Sequence, residues 1–143
     1  MHIATHGYIN EEHPELSMLL FSQPQNMTAT EDGVLYASEM YNLTLNADLL
    51  VLSSCESGLG KLVKGEGVMA ITRGFFYSGA NNIIFSLWKV YDRQTNELMT
   101  EFYLHVLKGE TFSSALRKSK LQLIADRSTA FPSKWSGFIL MGE

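Results

Sequence analysis

The sequence predicts an α/β fold with a mostly parallel sheet covered by helices. Three observations point to it. Residues 49–52 (LLVL) and 82–87 (NIIFSL) are apolar almost without interruption, as strands buried on both faces must be, whereas a half-exposed strand alternates with polar residues. Stretches with apolar residues at helical spacing follow each run, at 68–77 and then at 92–108 and 113–126. Glycine, proline and short polar clusters punctuate the junctions. Strand, helix, strand, long helix, helix, strand is the rhythm of a parallel sheet with helices on its faces.

Taken in order, the chain opens with HIATHG, where Ile3 and Ala4 read as a short strand that ends at His6-Gly7. Residues 8–14 are polar and turn-rich, and 16–21 is a second extended piece. The polar loop SQPQNMTATEDG follows, and 33–36 then pairs with the 16–21 segment as a hairpin. Residues 37–43 suggest a short helix before the buried strand at 49–52. Next comes the glycine-punctuated ESGLGKLVKGEG, which lacks the G-x-x-x-x-G-K-[ST] order of a phosphate-binding loop and is expected to give conformational freedom instead. Val68, Ile71, Phe75 and Phe76 build a buried helix that stops at Ser78-Gly79. Strand 82–87 leads through Trp88 to a long helix from Asp92 to Lys108, with Gly109 as its stop. A second helix covers 113–126, Pro132 breaks the chain, and 135–141 supplies a last strand.

Composition excludes several function classes. At 143 residues, 45% apolar and 11% aromatic, the chain has ample material for the core of one domain. A net charge of -4 without any basic run argues against nucleic acid. The single cysteine forbids an intrachain disulfide, and no charged and then apolar leader opens the chain, which fits a reducing, cytoplasmic setting. The longest apolar run is far short of a membrane span. His2 and His6 are four apart in an extended segment, so they do not share a helix face as zinc ligands would, and His13 and His105 lack partner spacing. Neither a metal nor a cofactor is expected.

The residues suited to chemistry are His6 and Cys55. Each stands at a strand's carboxyl end with glycine close behind, and adjacent parallel strands would bring those rims together. A thiol is mostly protonated at neutral pH. A neighbouring imidazole can take its proton and later deliver one to a leaving amine. The backbone N–H groups of Gly7 and Cys55 are candidate donors to the tetrahedral oxyanion. The competing reading is a buried, inert cysteine beside an unrelated histidine.

Six blocks taken together resemble a known family: HIATHG, LSML, DGVLYASEM, ADLLVLSSCESGLG, the long block from GEGVMAITRGFFYSGANNIIFSLWKVYD to TEFY, and WSGFILMGE. Their content and order are similar to CHAT domains, the caspase-like and separase-like cysteine peptidases of clan CD. The resemblance runs from Met1 to Glu143. It implies a caspase-like three-layer α/β sandwich, with His6 as general base and Cys55 as nucleophile of a His/Cys dyad. It also implies that Asp92 lies in the pocket for the substrate's P1 side chain, with Trp88 as pocket wall, and so favours a basic residue there. An aspartate at a helix start also serves as a cap or a partner for the helix dipole. Ser54 is a small departure, since alanine often precedes the cysteine in this family.

Members of the family usually carry further strands and helices before the His strand, where this chain has only Met1. The resemblance thus implies a single, N-terminally truncated domain over 1–143 whose His strand is an open edge. Edge pairing in a homodimer is the expected remedy, with a partner chain as the alternative. Two functions follow: an endopeptidase acting on a protein or peptide substrate under control of assembly or a partner, or an inactive remnant serving as an interaction module.

Overall fold

The computed structural model describes residues 1–22, 32–53, 66–88 and 90–142, together with the backbone of 55–56. The elements in chain order are β1 (His2–Ile3), β2 (His6–Tyr8), a 3-10 turn (Pro14–Leu16), β3 (Met18–Leu20), β4 (Val34–Tyr36), α1 (Ala37–Met40), β5 (Leu50–Leu52), β6 (Cys55–Glu56), α2 (Glu66–Tyr77), β7 (Ile83–Ser86), α3 (Asp92–Leu107), α4 (Phe112–Ala125), a second 3-10 turn (Pro132–Lys134) and β8 (Phe138–Met141). This is the α/β architecture that the sequence predicts. The polar loop at 23–31 and the glycine-punctuated stretch at 57–65 lie outside the described residues.

The strands form two four-stranded sheets. The larger has the order β1-β5-β7-β8, the smaller β4-β3-β2-β6. In the larger sheet β1, β5 and β7 run parallel, while β8 pairs antiparallel with β7, Ile83 opposite Met141 and Ser86 opposite Phe138. The two apolar runs are explained by burial on both faces. Leu50, Leu52, Ile83 and Phe85 point into one core cluster with Val68, Ile71 and Phe75 of α2. Val51 and Ile84 point into the other, with Leu98 and Phe102 of α3, Ala115, Leu116 and Leu123 of α4, and Phe138. Helices cover both faces, giving three layers.

The smaller sheet corrects one expectation. The opening strand does not run from Ile3 to His6-Gly7. It stops at Ile3, bends at residues 4–5, and His6 begins a new strand in the second sheet. The bend is tied down by the Thr5 hydroxyl, which donates to the Leu20 carbonyl. The predicted hairpin forms between β3 and β4, Met18 opposite Tyr36 and Leu20 opposite Val34. Its first strand then pairs antiparallel with β2. The strand carrying His6 is therefore flanked on both sides, by β3 and β6. Among the described residues, the open edge at this end of the larger sheet belongs to His2–Ile3. At the opposite edge the Lys120 ammonium donates to the Phe138 carbonyl of β8 at 2.5 Å, which occupies one outward acceptor of the edge strand. Partial burial lowers the pKa of that amine.

Helix ends follow local chemistry. Beyond α2, Gly79 takes φ +108°, Ala80 N–H reaches back to the Phe75 carbonyl and Gly79 N–H to that of Phe76. This is the Schellman closure that needs a left-handed residue, and a Cβ at Gly79 would run into the Leu45 carbonyl. After α3, Gly109 (φ +84°) closes the helix in the same way through Glu110 N–H to His105 O and Gly109 N–H to Val106 O. The Thr111 hydroxyl accepts from Ser114 N–H and caps α4. Glu110 clasps the two helices, with Lys118 at 2.7 Å, Ser114 at 2.9 Å and His105 at 3.0 Å. The Lys118 hydrogen bond, with those of Ser114 and His105, holds its carboxyl down at about 2. Among the described residues, no helix is long and apolar enough to cross a membrane.

Candidate functional site

The site is built where the larger sheet hands the chain over to the smaller one. In the larger sheet His2 stands opposite Val51 and Ile3 opposite Leu52. Ser53 N–H donates to the Ile3 carbonyl at 3.0 Å, which carries the ladder one residue past β5. Pairing resumes in the smaller sheet between β2 and β6. There His6 is the register partner of Cys55, and Gly7 that of Glu56, in a parallel pair. Adjacent strands lie about 4.8 Å apart, so positions 6 and 55 are immediate neighbours across the ladder. His6 is exposed and Gly7 buried. Gly7 registers with Leu19 on one side and Glu56 on the other. Sequence reasoning placed His6 and Cys55 at strand carboxyl ends; both instead begin short strands of their own.

One wall of the site is a hydrogen-bonded trio. The Nε2 atom of His2 lies 2.8 Å from the Ser53 hydroxyl, and its Nδ1 atom lies 3.0 Å from the Tyr103 hydroxyl on α3. Desolvation by burial, added to by the positive α-amino group, lowers the His2 pKa below its usual value. The ring is therefore neutral near pH 7 and offers one donor and one acceptor, and both of its nitrogens are used. This trio fastens α3 to β1 and to the residue two before Cys55. Sequence spacing excluded His2 as a zinc ligand and gave no sign of Tyr103, which lies 101 residues away.

Asp92 occupies the first position of α3, after Tyr91 at the N-cap. It lines a hollow of about 280 Å³ together with His2, Ala4, Ser53, Val90 and Thr95. The structure thus gathers Asp92 beside the strand end that leads to Cys55. Trp88 is elsewhere. Its indole N–H donates to the Ser133 carbonyl at 3.2 Å and its ring presses on Gly137, where a Cβ would come within 2.8 Å of the Cε2 atom; it does not line that hollow.

Cavity size does not mark the site. Two wider hollows, of about 510 and 560 Å³, lie against α3 and α4 and against α4 and β8, and neither is lined by His6, Gly7 or Asp92. Among the described residues no three His, Cys, Asp or Glu side chains gather to hold a metal ion. What distinguishes the handover region is the register of His6 with Cys55.

A family model described as CHAT domain matches residues 1–143. The chain is similar to tetratricopeptide repeat protein 28 of Homo sapiens, 33% identical over 113 residues, or 79% of this chain and 4% of that protein. Its counterpart in Mus musculus is 31% identical over 110 residues, 77% of this chain and 4% of that protein. The chain spans about 4% of the length of these curated relatives. With the family match extending over every residue, the chain belongs to the CHAT domain family.

Proposed function

We propose that this peptidase-related domain is a cysteine endopeptidase in which His6 and Cys55 form the catalytic dyad. The observation that supports it is the register pairing of these two residues on adjacent parallel strands. In the proposed cycle the imidazole of His6 takes the thiol proton, and the Cys55 sulfur attacks the peptide carbonyl carbon. The resulting imidazolium protonates the leaving amine as the C–N bond breaks, leaving a thioester. A water, deprotonated by the same imidazole, then releases the acid and restores the thiol. The oxyanion is received by the backbone amides of Cys55 and Gly7. Gly7 already belongs to two ladders, so its part requires a ladder contact to open as substrate binds.

Fast alkylation is the test. Iodoacetamide at pH 7 should modify Cys55 several times faster than it modifies glutathione, read by mass spectrometry, because a thiol paired with an imidazole is ionised well below its ordinary range. Labelling no faster than glutathione would remove the endopeptidase and leave an interaction module. The relatives are long proteins named for tetratricopeptide repeats, of which the matched region is a small part. Control of the dyad by assembly or a partner suits such a setting.

Asp92 completes the proposal. Lining a hollow with Ser53, it would receive a basic P1 side chain, while Trp88, bonded to Ser133, braces the segment leading to it. Peptides varied only at P1 decide this. Arg should be preferred over Met by tenfold or more, the weight of one charged hydrogen bond at about 1.5–3 kcal/mol, and the preference should shrink in Asp92→Asn. Equal cleavage of Arg, Met and Asp peptides removes the assignment.

A further inference from the structure

The smaller sheet has one face turned to the core and one turned outward. Leu19 is fully buried in the first core cluster, with Leu35 packed against it, and Gly7, their neighbour in register, is buried as well. Because side chains alternate along a strand, the opposite face carries two cross-strand rows. One is His6, Leu20 and Val34; the next is Tyr8, Met18 and Tyr36. The second row floors a hollow of about 400 Å³ whose wall also includes Leu16, Asn10 and Glu39. Tyr8 is 44% exposed and Leu16 46%, so the hollow presents large apolar surface to solvent one row along from His6.

Resting on the endopeptidase reading, the geometry points to a second substrate subsite: the hollow of Tyr8, Leu16, Met18 and Tyr36 takes a bulky apolar or aromatic side chain two residues from the scissile bond. Spacing selects this occupant. Successive same-face side chains of an extended strand are about 6.6–7 Å apart, and a bound peptide lying along β2 has the same repeat. A peptide whose scissile bond lies over the row of His6 therefore sets its next same-side residue over the row of Tyr8. Chemistry selects it too. Two tyrosine rings offer rigid amphipathic walls, and the thioether of Met18 adapts its shape to what enters. Among the described residues, the one formal charge on the wall is the carboxylate of Glu39, which accepts from Tyr36 N–H at 2.9 Å and disfavours an acidic side chain.

Two alkylating probes test the subsite without any cleavage: N-methyl chloroacetamide and N-phenethyl chloroacetamide. With each, the Cys55 thiolate displaces chloride and forms an S–CH2 bond; the phenethyl arm is long enough to span from one row to the next. The readout is the phenethyl-to-methyl rate ratio at Cys55 divided by the same ratio for glutathione. It should be about tenfold, the discrimination an apolar pocket gives for a modest apolar group. It should fall toward unity in Tyr8→Ser and, separately, in Met18→Ser. Tyr41→Ser serves as control, since Tyr41 is an exposed tyrosine whose ring lies tilted against Tyr77 at 5.4 Å, outside the hollow; it should keep the ratio. A ratio near unity in the unsubstituted protein overturns the subsite, as does one that survives both substitutions or collapses equally in Tyr41→Ser. Failure of the dyad shows separately, as an N-methyl rate that ignores His6→Ala.

Discussion

If His6 and Cys55 form the proposed dyad, His6→Ala should lower peptide cleavage by about 10²–10⁴-fold, the usual weight of a general acid–base group, yet lower iodoacetamide labelling of Cys55 far less. The two losses differ because the two reactions ask different things of the imidazole. Alkylation needs only the thiolate. Near pH 6 a free thiol titrating at about 8.5 is ionised to well under one per cent, and pairing with an imidazolium raises that fraction by about a hundredfold. A more acidic thiol is also a weaker nucleophile, which takes back about tenfold. The net expectation is about tenfold at pH 6, shrinking as pH rises and reversing by pH 9, where a free thiol is itself largely ionised and is the stronger nucleophile. Cleavage needs in addition a proton for the leaving amine, which is the second role proposed for His6. Matched pH profiles of both rates, for the protein and for His6→Ala, check this. Parallel losses, or a labelling rate with the pH dependence of glutathione in both proteins, would falsify the dyad.

Much of the fold was legible because burial leaves a mark on composition. A strand with helices on both faces has no reason to alternate, so Leu50–Leu52 and Ile83–Ser86 stood out as unbroken apolar runs. The ends of α3 and α4 were legible to within about a residue, since Gly109 and Thr111 supply local stop and start chemistry. Orientation was not. An apolar strand reads the same in either direction, and nothing in residues 138–141 announces that β8 runs antiparallel to β7. The bend at residues 4–5 was hidden for another reason: it depends on Thr5 bonding Leu20 and on the β3–β4 hairpin offering β2 a new neighbour, both of them long-range. The candidate site divides along the same line. His6 and Cys55 were visible as residue types beside glycines and through the family resemblance. Their register, the bonding of His2 to Ser53 and Tyr103, and the outward row of Tyr8, Met18 and Tyr36 exist only once the two sheets are assembled.

The assembly itself hangs on the second core cluster, and Phe102→Ala should cost about 3–5 kcal/mol of stability. Phe102 is fully buried. It lies among Val51 and Ile84 of the sheet, Leu98 of its own helix, Ala115 and Leu116 of α4, and Phe138, with the Tyr103 ring at 5.2 Å edge-on and the Phe112 ring at 6.4 Å. Three strands and two helices contribute to this cluster, so none can collapse into the space without leaving another, and the cavity penalty adds to the lost transfer energy. Against a total of about 5–15 kcal/mol for a domain, such a loss brings the protein near its unfolding midpoint. Urea titrations give the comparison. Leu107→Ala, at the end of the same helix and 83% exposed, should change stability by no more than about 0.5 kcal/mol. The effect also reaches the site, because α3 carries both Asp92 and Tyr103, the latter bonded to His2. A Phe102→Ala protein held below its transition should therefore label Cys55 with a weakened preference for the paired thiolate before it loses helix signal. A loss under about 1 kcal/mol, or one matched by Leu107→Ala, would show that the two helices are held to the sheet by something other than this contact.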